Sequence, residues 1–103
     1  PVRTYSSGMT KRLMIAHMIL INPKILLLDE PYTGLDTSSV EWLQAYLKRF
    51  RESGGAVMLI THQFNLGLEI ADRVMALHQQ RLMHDIPATG LTPETCSGWL
   101  ETP

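Results

Sequence analysis

Apolar positions fall along the chain in alternating helical and strand-like stretches. Across residues 9–21, Leu13, Ala16, His17 and Leu20 recur at helical spacing, with Met14, Met18 and Ile21 widening the apolar side; this predicts a largely buried helix. Ser6 and Ser7 precede it as a start signal, and Asn22-Pro23 ends it, because the residue before a proline is pushed out of helical angles. Ile25, Leu26, Leu27 and Leu28 then form an apolar run without alternation, the mark of a strand covered on both faces, and the run ends in Asp29, Glu30 and Pro31. Residues 32–36 read as a loop, and Ser38 with Glu41 as a capping box opening a helix to about Arg51. Val40, Leu43, Leu47 and Phe50 fall on one face of that helix, and Glu41, Gln44, Lys48 and Arg51 largely on the other.

Gly54-Gly55 closes the helix, and residues 56–61 form a second continuous apolar strand. A short helix over 64–71 follows, then an antiparallel pair over 73–78 and 81–85 around Gln79-Gln80, a loop over 87–90, and a last helix from Pro93 to Leu100 with proline in its first turn. Strand, helix, strand in succession argues for an α/β architecture with a mainly parallel sheet flanked by helices.

Composition narrows this picture without changing it. The 103 residues, 45% hydrophobic and 18% charged with a formal net charge of -1, bound the chain to one domain at most, or less than one, and give no basic footprint for nucleic acid. The longest apolar run, residues 13–21, is broken by His17 and is too short to span a bilayer, so any membrane association is expected to go through a partner. Cys96 has no second cysteine to pair with and reads as an inert thiol in a reducing compartment.

In open sheets of this class ligands sit outside the carboxyl ends of the strands, where Asp29-Glu30 and Thr61-His62 emerge. Adjacent strand residues point to opposite sides, so the two acids are expected to have separate roles. Each candidate has a plainer reading: a loop-capping or solvated carboxylate for Asp29 and Glu30, a structural histidine for His62, an ordinary helix cap for Ser6, Ser7 and Gly8, and a turn-forming residue for Asp36. His17 reads as a packing histidine, His78 and His84 as strand-surface residues, and the six methionines as core filler.

Tyr5-Ser6-Ser7-Gly8-Met9, the strand ending in Asp29-Glu30, Thr33-Gly34-Leu35-Asp36 and Thr61-His62 occur in a characteristic order. Over about positions 3 to 85 the chain resembles the nucleotide-binding subunit of ABC transporters, whose signature sequence, Walker B strand, D-loop and switch histidine follow one another in this way. The usual signature is Leu-Ser-Gly-Gly-Gln; here the first serine and last glycine are kept, and the first glycine and the glutamine are replaced. No G-x-x-x-x-G-K-[ST] phosphate loop, or Walker A, occurs in the 103 residues, and in the family it lies N-terminal to the signature. The resemblance therefore implies a partial P-loop NTPase fold, with residues 1–103 as the C-terminal part of the domain.

The resemblance further implies ATP and Mg²⁺ as cofactors. Asp29 suits a hard cation shared with phosphate oxygens, and Glu30 would orient or deprotonate the attacking water. His62 would contact a phosphate oxygen or a carboxylate. Ser6, Ser7 and Gly8, at a helix start, would grip the nucleotide of an opposing subunit, with Asp36 in the same interface. The implied whole is a head-to-tail pair of nucleotide-binding domains, like or unlike, coupled to a transmembrane permease and peripheral to the cytoplasmic side of the inner or plasma membrane. The signature and the run from Asp29 to Asp36 also resemble haem-exporter subunits. Two other readings share the motifs: a soluble ABC-type ATPase acting on ribosomes or DNA, for which no long basic or coiled-coil insertion is present, and a non-catalytic interaction domain that kept the fold.

Overall fold

The computed structural model describes residues 13, 16–17, 20–21 and 23–100, the side chain of Leu100 excepted. Strand β1 (Ile25–Asp29) leads through a turn to helix α1 (Thr37–Glu52) and strand β2 (Ala56–Ile60). Helix α2 (Phe64–Ile70), strands β3 (Arg73–His78) and β4 (Arg81–Pro87), and helix α3 (Pro93–Leu100) follow. The chain divides into two compact units, residues 1–61 and 62–103.

In the first unit β1 and β2 pair in parallel, Ile25 with Ala56 through Asp29 with Ile60. The ladder extends backwards by one bond, from the Ala56 amide to the Lys24 carbonyl at 3.1 Å. Leu26 and Leu28 are buried, as are Leu43, Leu47 and Phe50 on the inner face of α1, which packs against β2. Each leucine buried in this way contributes about 2 kcal/mol relative to leaving it in water.

The other face of the sheet is open. Ile25 and Leu27 are 66% and 71% exposed, and Met58 and Ile60 are exposed beside them. The unbroken apolar run had predicted cover on both faces; among the described residues only one face has it, and burial alternates along β1. The apolar positions of the preceding helical stretch behave likewise. Leu13, Ala16, His17, Leu20 and Ile21 are helical, as predicted, but exposed rather than buried.

The cap of helix α1 is Asp36, two residues before the predicted Ser38. Asp36, with extended backbone, accepts a 2.9 Å bond from the Ser39 amide through Oδ1, and Ser38 donates its hydroxyl to the same oxygen. A carboxylate at this position satisfies a backbone donor that the first turn leaves over. The buried face also differs from the expected one. Ser39 and Gln44 are buried with Leu43, Leu47 and Phe50, while Val40 is half-buried. Gln44 tolerates this because the Tyr32 hydroxyl donates to its Oε1 at 2.5 Å, and Tyr32 itself is almost wholly buried. A buried amide with a buried partner escapes the cost of an unmade bond.

The second unit keeps its predicted outline, with β3 and α3 at their expected bounds and β4 two residues longer. Gln79 and Gln80 both have positive φ, 50° and 66°, the pattern of a type I′ hairpin turn without its usual Asn-Gly. The Thr92 hydroxyl accepts from the Thr95 amide, placing Pro93 at the first helical position of α3. Helix α3 contacts α2 and β3, and Trp99 stacks on His84 with ring centroids 4.2 Å apart. Cys96 is buried there as a free thiol, and burial pushes its pKa up, which keeps it protonated and unreactive.

Candidate active site at the carboxyl end of the parallel strands

Both strands of the first unit run to the same end, and the parallel register decides which residues meet there. Asp29 pairs with Ile60, so the next residues out, Glu30 and Thr61, leave the sheet side by side. The Glu30 amide donates to the Ile60 carbonyl at 2.7 Å, and its carbonyl accepts from the Thr33 amide at 3.4 Å as the chain turns. Its φ of 48° places this non-glycine residue in the left-handed region, a conformation that costs about 1 kcal/mol or more and persists only where the surroundings over-determine it.

The two acids have different surroundings. Asp29 follows the strand alternation and lies exposed on the open face with Ile25 and Leu27. Glu30, the next residue, is half-buried, and its Oε2 accepts a 3.0 Å bond from the Thr61 hydroxyl. Different surroundings fit two different tasks for the pair.

The turn after Glu30 is itself anchored. Leu35 donates to the Tyr32 carbonyl at 3.1 Å, and the Tyr32 side chain ties the turn to Gln44 on α1. Gly34 takes φ of 81°, a value open to glycine without strain, and the turn delivers Asp36 to its capping position. Asp36 thus has a structural task whatever else it does.

Among the described residues no group of three or more His, Cys, Asp or Glu is arranged to hold a metal. A metal caged by protein alone does not fit these residues. A hard cation that takes one carboxylate, several waters and phosphate oxygens does fit an exposed Asp29.

The structure therefore brings Asp29, Glu30 and Asp36 into one unit with Thr61. His62, next in the chain, belongs to the second unit, where it is exposed and its ring lies 6.4 Å from that of Phe64, tilted by 47°. Ser6, Ser7 and Gly8 lie outside the described residues. The Thr61 bond to Glu30 and the buried Tyr32–Gln44 pair escaped the sequence reading. The first depends on the register of two strands and the second on which side of α1 turns inward, and neither has a local sequence signal.

Comparison with known proteins places this arrangement. A family profile described as ABC transporter matches residues 1–33. The chain is 37% identical over 83 residues to a putative ABC transporter ATP-binding protein of Bacillus thuringiensis subsp. konkukian, covering 81% of this chain and 15% of that protein. It is 42% identical over 77 residues to one of Pyrococcus horikoshii, covering 75% of this chain and 30% of the relative. A dimeric structure of the ATP-binding cassette MJ0796 in a post-hydrolysis state bound to ADP and Pi superposes with a TM-score of 0.74 at 27% identity, over 84% of this chain and 38% of that one. The chain thus spans well under half the length of these proteins. In sequence and fold the chain is thus similar to part of the ATP-binding domain of ABC transporters.

Proposed function

We propose that the chain supplies the hydrolytic end of an ABC-type ATPase: it presents Glu30 to the water that attacks the γ-phosphate of ATP and Asp29 to the accompanying Mg²⁺. The observation that carries this reading is the half-buried Glu30 at the carboxyl end of a parallel strand, held by the Thr61 hydroxyl and by its own amide on the Ile60 carbonyl. In phosphoryl transfer the protein's work is mainly positioning and charge stabilisation, so a carboxylate held in place is the part required. Asp29 would hold the cation from the open face, and the cation would supply charge neutralisation to the phosphates when bound. His62 would contact phosphate, and Ser6, Ser7 and Gly8, with Asp36, would serve the nucleotide of a second nucleotide-binding domain. The dimeric cassette bound to ADP and Pi supports this pairing by similarity.

In this reading a phosphate loop completes each site, and hydrolysis drives a transmembrane permease at the cytoplasmic face of a membrane. The relatives' description as transporter ATP-binding proteins favours this over action on ribosomes or DNA. Among the described residues no helix is long and apolar enough to cross a membrane, so attachment would go through the permease. None of the relatives named above is described as a haem exporter, and the proposal carries no cargo.

The test is Glu30→Gln in a complete subunit. Amide for carboxylate keeps shape and removes the base or water-orienting charge, so hydrolysis should slow by roughly 100-fold or more while ATP binding and the ATP-bound dimer persist. Turnover at the parent rate would refute the role of Glu30.

A further inference from the structure

We propose that Thr61 is the positioning residue of Glu30: its hydroxyl fixes which way the carboxylate faces before nucleotide arrives. The proposal rests on the assignment of Glu30 above and adds to it a residue that acts only through that carboxylate. Three observations converge. The register of β1 and β2 leaves residues 30 and 61 adjacent at the strand ends. The residue before Thr61, Ile60, accepts the Glu30 amide at 2.7 Å, which fixes the main chain of the acid. The Thr61 hydroxyl donates to Oε2 at 3.0 Å in a part-buried setting, which fixes its side chain. The last residue of β2 and the one that follows it therefore clamp both backbone and carboxylate.

The chemistry explains why such a clamp matters. A glutamate side chain has three rotatable torsions, and ordering them in the transition state adds to the barrier unless the order is already present. Threonine is apt because its branched Cβ restricts χ1, so the hydroxyl does not swing away.

Thr61→Val and Thr61→Ser in a complete subunit test the proposal. Valine keeps volume and branching but removes the donor; kcat should fall by roughly 10- to 100-fold, the worth of a hydrogen bond to a charged group, with KM for ATP within about twofold of the parent. Serine should recover kcat to within about threefold of the parent, since it restores the donor with a looser rotamer. In a Glu30→Gln background Thr61→Val should slow turnover no further, because the group it positions is already disabled.

An unchanged kcat for Thr61→Val beside a disabled Glu30→Gln would overturn the role of Thr61 and leave that of Glu30 standing. Equal losses in the valine and serine variants, or an undiminished effect of valine in the Glu30→Gln background, would reduce Thr61 to a structural residue. Parent-like turnover by Glu30→Gln would instead remove the assignment on which the proposal depends.

Discussion

At the scale of single residues, Asp36 performs a task that the site does not require. Its carboxylate caps α1 through the Ser39 amide and accepts from Ser38, so any contribution to a nucleotide interface must be separated from helix stability. Asparagine caps about as well as aspartate, whereas alanine does not. In a complete domain Asp36→Ala should lower unfolding stability by about 1 kcal/mol and Asp36→Asn should leave it within a few tenths, as read from denaturant midpoints. If the charge also works at the interface between domains, Asp36→Asn should still slow turnover. A parent-like rate for the asparagine variant would confine Asp36 to capping.

At the scale of elements, the crossover from β1 through α1 to β2 depends on a clean stop at the end of the helix. Ser53 and Gly54 donate to the carbonyls of Arg49 and Arg51, and Gly55 donates to that of Phe50, each at 3.0 Å. The two glycines serve different ends. Gly54 takes φ of 99° with open space around it, whereas a Cβ at Gly55 would fall on the ring of Phe50, which closes the core at the last turn. Gly54→Ala should cost about 1 kcal/mol through backbone strain alone. Gly55→Ala should cost more, about 1–3 kcal/mol, because Phe50 has to move out of a packed position. Thermal unfolding of the two variants would check the order, and a Gly55→Ala change no worse than Gly54→Ala would show that the ring yields freely.

At the scale of the whole molecule, the first unit buries one side of its sheet and leaves Ile25, Leu27, Met58 and Ile60 exposed on the other, and Leu20 and Ile21 are exposed as well. Apolar surface of this extent on a small unit drives association in water. Among the described residues, each strand of the parallel sheet also pairs on one side only, which leaves an edge for further pairing. The 103-residue chain made by itself should therefore associate, bind a hydrophobic dye and show no cooperative monomeric transition, as measured by light scattering and calorimetry. It should also hydrolyse no ATP above a mock preparation, since its sequence contains no phosphate loop. A sharp thermal transition from a monomer would show the unit to be self-sufficient.

Order and type of elements were legible in the sequence because they follow from local chemistry. Four apolar residues before paired acids made β1, the spacing of Leu43, Leu47 and Phe50 made α1, Gly54-Gly55 ended it, and Pro93 opened α3. The strand end bearing Asp29 and Glu30 was legible for the same reason. The cap was read at Ser38 instead of Asp36 because both sequences fit a helix start, and only the actual first turn chooses between them. Tertiary structure alone decided that Glu30 leaves the strand with left-handed backbone and bonds to Thr61, 31 residues away, and that Gln44 turns inward to meet Tyr32, 12 residues away. It also decided that half of an apolar strand stays in water. A run of leucines states that burial is favourable, but what covers each face depends on which elements the fold brings over it, and that is fixed by contacts between residues distant in the chain.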